Sequence, residues 1–325
     1  MVYQIPESDL NSTGKAIVNG VNLDPGVPEG TKDAYGTDIP ARPAERVLSV
    51  ISLGDAKRDR KDIFNETESI FFATKKGIIK KTVLREFINI NRNGIRALNL
   101  KDGDELVGVE LVEPDDELFL VSANGQALHF RESDTRSMGR AAAGVRGMRL
   151  AGVVFGETED DSVESSDDQT DDLGDEVDEI RALVKVDKTD DARLLLIVEN
   201  GYGVLTRPES YTIHKRGGKG MKSIKTEGRN GKVVFAACVS TGAAADSLVV
   251  ITAGGQIIRM SVAGIRECGR GSSGVKVVDV AKNDRVISAS VVPADEDSGD
   301  NAATDADNSD NATLSPNTPT PHEGN

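Results

Sequence analysis

The residues in this chain best suited to chemistry are cations set beside glycines. The densest group is His214-Lys215-Arg216-Gly217-Gly218-Lys219-Gly220. Its three fixed positive charges flank residues with no Cβ, which lets backbone N–H groups come close to an anion such as a phosphate. Weaker echoes stand at Ser137-Met138-Gly139-Arg140 and Cys268-Gly269-Arg270-Gly271. The run is neither a Walker A nor a dinucleotide loop. It lacks the Gly-x-x-x-x-Gly-Lys-Ser/Thr spacing and follows a strand pattern instead of opening a helix. Other cations recur at matching places. After one type of turn glycine come Lys80 and Lys81, then His129 and Arg131, then Arg207, then Arg259. After a second come Arg96, Arg146, Lys222 and Lys276. Recurrence of position and sign puts a curved row of Lys and Arg on one side of an assembly. That geometry bends a duplex through backbone contacts without reading bases. The plainer alternatives are edge protection of exposed strands and, for 214–220, a flexible cationic turn.

Catalytic constellations are absent from the pattern. The three histidines, His129, His214 and His322, form no metal or triad spacing. No metal ligand set is assigned, and no catalytic activity is expected from this chain alone.

The elements that position these cations are repeats. A strand-like apolar run meets a turn glycine, a basic strand follows, and a second glycine opens Gly-apolar-(Lys/Arg)-x-apolar. The copies run Ile70 to Gly77 and on to Gly94, Leu118 to Gly125 and on to Gly144, Leu194 to Gly201 and on to Gly220, and Leu248 to Gly255 and on to Gly274. The paired glycines are 17, 19, 19 and 19 residues apart. A strand-built repeat of about 40–50 residues marks a propeller-like array. Asn124-Gly125 and Asn200-Gly201 are hairpin-turn signals. In the first repeat the pattern predicts strands over 70–74, 78–82, 95–100 and 106–111. No strand could bury both faces alone, so blades must stack radially.

The predicted organisation is all-β. It has a partial N-terminal blade with a long loop over 1–53, then blades over 54–113, 114–156, 181–241 and 242–293. In the partial blade, 46–51 reads as a closing strand and 14–19 echoes the second-glycine element, so the chain is expected to begin inside a repeat. An acidic disordered insert is expected over 157–180 and an acidic disordered tail over 294–325. With no Trp and 4% aromatic residues, the core must be aliphatic, which suits strands. No apolar run approaches the roughly 20 residues that span a bilayer, and the start does not read as a signal peptide. Cys238 and Cys268 read as reduced, partly buried thiols of a cytosolic protein. The formal net charge is −15, but residues 157–180 hold 13 acids and 294–325 hold 8, with no Lys or Arg in either. Without those 21 acids, 33 remain against 39 Lys and Arg, a surplus of six positive charges on the body. A basic body with acidic appendages suggests a polyanion partner, although acidic runs also serve solubility.

The chain resembles the C-terminal domain of bacterial DNA gyrase A and, less closely, the corresponding domain of topoisomerase IV. The likeness covers about 1–19 and 44–293. It rests on Val2-Tyr3-Gln4-Ile5-Pro6, Lys80-Lys81-Thr82-Val83-Leu84-Arg85-Glu86-Phe87, Gly103-Asp104-Glu105-Leu106-Val107-Gly108-Val109, Met138-Gly139-Arg140 with Gly144-Val145-Arg146-Gly147-Met148-Arg149-Leu150, and Asn200-Gly201-Tyr202-Gly203. The resemblance implies a β-pinwheel with swapped hairpins, here about four complete blades plus the partial one. It also implies sequence-independent binding, bending and wrapping of duplex DNA in support of negative supercoiling, and a cytoplasmic, nucleoid-associated place. Other gyrase subunits or domains would be partners. No cofactor is expected in this chain, because ATP and Mg would belong to other parts of the holoenzyme. Three departures stand out. The family's Gln-Arg-Arg-Gly-Gly-Lys/Arg-Gly box lies in a first blade, whereas the near match 214–220 stands in the third complete repeat. Leu205 stands where a basic residue is expected after the turn. The breakage-reunion region is absent, and Tyr3, Tyr35, Tyr202 and Tyr211 lie in blade-like or loop context. The residues expected to meet DNA are Lys80, Lys81, Arg96, Arg131, Arg146, His214, Lys215, Arg216, Gly217, Gly218, Lys219, Gly220, Lys222, Arg259 and Lys276. A protein-interaction propeller, with incidental basic positions, is the rival reading. A degraded product with no stable fold is a third. If the acidic tail competes with DNA for the rim, deleting 294–325 should tighten duplex binding at low salt; an unchanged dissociation constant sinks that idea.

Overall fold

The computed structural model describes residues 2, 23–41, 44–51, 63–91, 93–154, 177–243 and 245–294. Four antiparallel sheets are built from fifteen strands among these residues. Each repeat opens with a hairpin: β1 (Ser69–Thr74) with β2 (Ile78–Val83), β4 (Glu117–Ser122) with β5 (Gln126–Arg131), β8 (Ala192–Val198) with β9 (Tyr202–Thr206), and β12 (Ser247–Thr252) with β13 (Ile257–Ser261). The turn glycines Gly77, Gly125, Gly201 and Gly255 all have positive φ, between 77° and 87°, a region L-residues with a Cβ adopt at a cost. On the other side of each first strand lies an inner strand: β3 (Leu106–Val112), β7 (Ile180–Lys185), β11 (Val233–Ser240) and β15 (Val286–Val292). These inner strands pack in series, β3 on β7, β7 on β11 and β11 on β15. They pass so closely that a Cβ on Gly108 would lie 2.8 Å from Leu183 Cβ.

The fourth position of each sheet is filled from the next repeat. β6 (Val145–Arg146) of the second repeat pairs with β2, β10 (Met221–Lys222) of the third with β5, and β14 (Val275–Lys276) of the fourth with β9. The sheet orders are therefore β3-β1-β2-β6, β7-β4-β5-β10 and β11-β8-β9-β14, and the fourth sheet, β15-β12-β13, is three-stranded. The first strands of the first three hairpins, β1, β4 and β8, lie between blades and are buried on both faces, so their sequences run apolar without alternation, as in Ile70-Phe71-Phe72-Ala73, whereas burial alternates along β12 of the fourth sheet. Three hydrophobic clusters, two mixing aliphatic and aromatic side chains, fill the gaps between sheets. Phe71, Leu120 and Phe130 sit between the first and second, Phe119, Leu196 and Tyr211 between the second and third, and Leu195, Val250 and Val277 between the third and fourth. Each such fully buried side chain contributes about 1.5–3 kcal/mol.

In the first repeat, the strands predicted over 70–74, 78–82 and 106–111 lie within a residue of β1, β2 and β3. Residues 95–100 form no strand. Ile95 makes an isolated bridge to Val2, with N···O distances of 2.8 and 2.9 Å, and among the described residues no further ladder extends it. Residues 46–51 form no strand, since no described residue offers them a hydrogen-bonded neighbour, and Val47, Leu48 and Val50 are exposed. The stretch 157–176 of the expected insert and 295–325 of the expected tail lie outside the described residues, as does the 14–19 echo. The last residues of the expected insert belong to the fold: Asp178 is buried and accepts from Asn124 N–H at 2.9 Å, and β7 starts at Ile180. Cys238 and Cys268 are free thiols, both half-buried, and burial pushes Cys238 up to about 11. No helix among the described residues is long and apolar enough to cross a membrane.

The swap depends on the second glycine of each repeat. Gly144 has φ +95, and a Cβ there would lie 2.5 Å from Ile79 O. Gly217 also has positive φ, +86, but a Cβ there meets nothing within 4 Å. Gly144→Ala should therefore cost about 1–3 kcal/mol of stability and more than Gly217→Ala. Denaturant unfolding measures both, and equal costs would mean that the donated strand is not seated this closely.

Candidate nucleic-acid interface

The donated strands carry cations to the outer edge. Arg96 is exposed, with Nη1 donating to Asn99 Oδ1 at 3.2 Å. Lys222 is half-buried; its Nζ donates to Asn124 O at 3.1 Å and to Glu227 Oε1 at 3.3 Å. Lys276 is exposed and paired with Asp279 at 2.8 Å. Arg146 is half-buried on β6. Each follows its glycine by two residues, so each of the three donated strands carries one cation and Arg96 stands at the same offset in the first repeat. Exposed pairs such as Lys276–Asp279 contribute little to stability and are screened by water and salt, weak enough to be exchanged for a phosphate.

The segment leading into each donated strand lies along the preceding sheet. The carbonyls of Lys81, His129 and Leu205 accept from the N–H groups of Met138, His214 and Cys268 at 2.8, 2.8 and 3.0 Å. The 214–220 run is therefore a lacing segment along β5. Gly217 N–H donates to Gly147 O at 2.6 Å, and Gly218 O accepts from Arg149 N–H at 2.8 Å. A Cβ on Gly220 would meet Ala127 O at 2.8 Å. This corrects the expected anion cradle at Gly217, Gly218 and Gly220: the Gly217 donor is already used, and Gly220 admits a neighbouring strand. The side chains remain available. His214, Lys215 and Lys219 are exposed, and the two lysines form no ion pair with a described residue. Arg216 is half-buried, with Nη1 donating to Arg146 O at 3.2 Å.

Lys80 and Lys81 require a larger correction. Lys80 is fully buried, and its Nζ donates to Ala97 O and Arg140 O, both at 2.6 Å. Lys81 is buried toward the second blade, 2.5 Å from Glu132 Oε2. Register explains both. Lys80 sits beside Phe72 on one face of the first sheet and Lys81 beside Phe71 on the other, so neither reaches the rim. The fourth residue after each turn glycine faces the next blade. Lys81 forms an ion pair there, His129 stacks on Phe119 with centroids 4.2 Å apart, and Leu205 joins the aliphatic cluster. Leu205 thus fills a blade junction, not a rim site. At the fourth sheet the same position, Arg259, is exposed, with Nη2 3.3 Å from Ser247 Oγ. Arg131 is exposed at the end of β5, 3.9 Å from Glu117.

Arg140 and Arg270 stand out in the sequence only as echoes. Both lie four residues before their second glycine, as Arg216 does, and that shared offset is the signal that marks them. Arg270 Nε donates to Ser210 O at 3.0 Å, and Arg140 Nε lies 3.8 Å from Glu86.

Burial first, and the Arg140 guanidinium second, push Lys80 down to about 8 from 10.5. The native state therefore binds this proton less tightly than the unfolded chain, and stability should rise with pH between about 8 and 10.5. Lys80→Met should abolish that rise. Unfolding midpoints across this pH range measure it, and parallel curves for the two proteins would show that the ammonium is not buried.

A family model described as "DNA gyrase C-terminal domain, beta-propeller" matches residues 68–113, 116–152, 193–240 and 246–293. DNA gyrase A of Haemophilus influenzae is 33% identical over 302 residues, 91% of this chain and 31% of that protein. DNA gyrase A of Deinococcus deserti is 36% identical over 269 residues, 81% of this chain and 29% of that protein. The chain thus spans about a third of the length of these curated relatives. Among solved structures, a DNA gyrase A C-terminal domain aligns with TM-score 0.54 at 24% identity, over 70% of this chain and 67% of that one. A C-terminal domain of DNA topoisomerase IV aligns with TM-score 0.58 at 26% identity, over 71% and 64%.

Proposed function

The chain belongs to the DNA gyrase C-terminal β-propeller domain family, and on that premise we propose that it binds and bends duplex DNA around its outer edge without reading sequence. It would act as the C-terminal part of gyrase A, with the remaining gyrase parts as partners and with negative supercoiling as the outcome they share. The observation that carries this reading is the swap itself, which brings Arg146, Lys222 and Lys276 to successive outer strands, with Arg96 exposed at the same offset beside the Val2–Ile95 bridge. Phosphate contacts made at intervals along a curved edge favour a bent duplex over a straight one. Lys215, Lys219, Arg131 and Arg259 add charge outside that row, and His214 adds a polar group beside them. Lys80 and Lys81 do not take part, since they are consumed inside the body. The ATP and Mg that drive strand passage would be held elsewhere in the holoenzyme, which in a bacterial cell would sit in the cytoplasm on the nucleoid. The likeness to a topoisomerase IV domain supports a second reading, in which the same edge guides duplex DNA without constraining a wrap.

Affinity should fall steeply with salt and should be higher for a duplex long enough to reach several blades than for a short one. Ligating nicked circles in the presence of the chain should shift their linking number. Salt-steep binding without a linking shift would favour the topoisomerase IV-like reading. Salt-insensitive, length-independent binding would overturn DNA as the ligand and leave a protein partner.

A further inference from the structure

At each junction between repeats, the arginine four residues before one second glycine lies near the cation two residues after the previous one. Arg216 Nη1 reaches Arg146 O at 3.2 Å, and a Cβ on Gly271, next to Arg270, would lie 3.8 Å from Lys222 O. These two junctions are laced by the same pair of backbone hydrogen bonds. Gly217 N–H to Gly147 O and Arg149 N–H to Gly218 O in one correspond to Gly271 N–H to Ser223 O and Lys225 N–H to Ser272 O in the other. The junction between the first and second repeats is built differently. Its Ala97 carbonyl, the counterpart of those of Gly147 and Ser223, is taken by Lys80 Nζ at 2.6 Å, and Asn99 Nδ2 donates to Ala141 O. Here lies a cavity of about 430 Å³ lined by Glu86, Arg96, Gly139, Arg140, Ala141 and Ala142.

Within the cavity, Arg140 Nε is buried and makes no hydrogen bond, and its ion pair with Glu86 is long at 3.8 Å. Two arginines and one glutamate line it, and the Lys80 ammonium donates to the Arg140 carbonyl at 2.6 Å. Lys80 is held low partly by Arg140, which reports a positive local field. Planar guanidinium forks match the oxygens of a phosphate and are the preferred groups for it. We propose that this cavity seats one backbone phosphate of a nucleic acid, held jointly by Arg96 and Arg140, and that it is the widened member of the series of junction pairs around the edge. Glu86 opposes the anion and sets how tightly it is held. This proposal rests on the DNA-binding reading and adds to it a site whose geometry is fixed by the body of the fold.

The test is duplex affinity of the whole chain over a salt series, for wild type, Arg96→Gln, Arg140→Gln, the double variant and Glu86→Gln. Each arginine variant should weaken binding about 3–10-fold and flatten the slope of log K against log salt by about 0.9, the value of one phosphate contact. The double variant should be no flatter than either single one, because both remove the same contact. Glu86→Gln should tighten binding, and Arg140→Lys should restore the slope. An inorganic phosphate titration followed by arginine side-chain NMR separates sources: a response there with unchanged duplex binding would overturn the nucleic-acid assignment in favour of a small-anion site. Salt-steep duplex binding that Arg140→Gln leaves unchanged overturns the seat and spares the function. Slopes that fall additively in the double variant overturn the shared phosphate. Absence of salt-dependent duplex binding by the wild type overturns both readings.

Discussion

No sheet among the first three is complete without the repeat that follows it. The outer strand in each is a dipeptide lent by the next repeat, held by a short ladder and by the close approach of its glycine to the host strand. Everything else in the molecule follows from that loan. It fixes the spacing between paired glycines, because the lacing segment must run a set distance along the neighbour before it turns into the ladder. It puts the cations that follow those glycines on the outermost strand. It also makes adjacent blades one folding unit, since neither can satisfy its backbone groups alone.

The elements were legible because they depend on local rules. Turn glycines with positive φ, apolar middle strands and the near-constant glycine interval can all be read from residue order. The faces of the strands were harder to read. Lys80 and Lys81 look like an exposed basic pair, but they point to opposite sides of a sheet that is covered on both sides. An antiparallel sheet with one wet face would have left one of them in solvent; stacking of blades leaves neither. The glycines of 214–220 mislead for a related reason. They are needed for close approach, but the approaching group is the neighbouring chain segment. Arg140 and Arg270 can be found from their offset to the second glycine, which a residue-by-residue search for dense charge does not reward.

The junctions between blades also hold most of the buried charge. Lys81 with Glu132 ties the first blade to the second, and Arg193, itself buried, reaches Glu267 of the fourth repeat at 2.7 Å. Such pairs recover their desolvation cost only with good geometry, so they specify which surfaces meet more than they add stability. Glu110 on the inner strand β3 has no ion-pair partner within 4 Å among the described residues. Burial pushes it up to about 7, with Lys185 pulling it down and Asp187 pushing it further up. The first sheet therefore carries an ionisable group displaced toward neutrality on each face, Glu110 on the side of Phe71 and Lys80 on the side of Phe72.

The lent dipeptides have a mechanical consequence. A load applied at the outer edge would pull on Val145–Arg146, Met221–Lys222 and Val275–Lys276, each of which belongs to the repeat that follows the sheet it completes. Load applied at one blade passes along the covalent chain into its neighbour and is shared across the series. Each ladder is only two residues long, so it is also the first link to part. The edge behaves as a row of short hooks on a common cord, stiff in shear and able to yield one hook at a time.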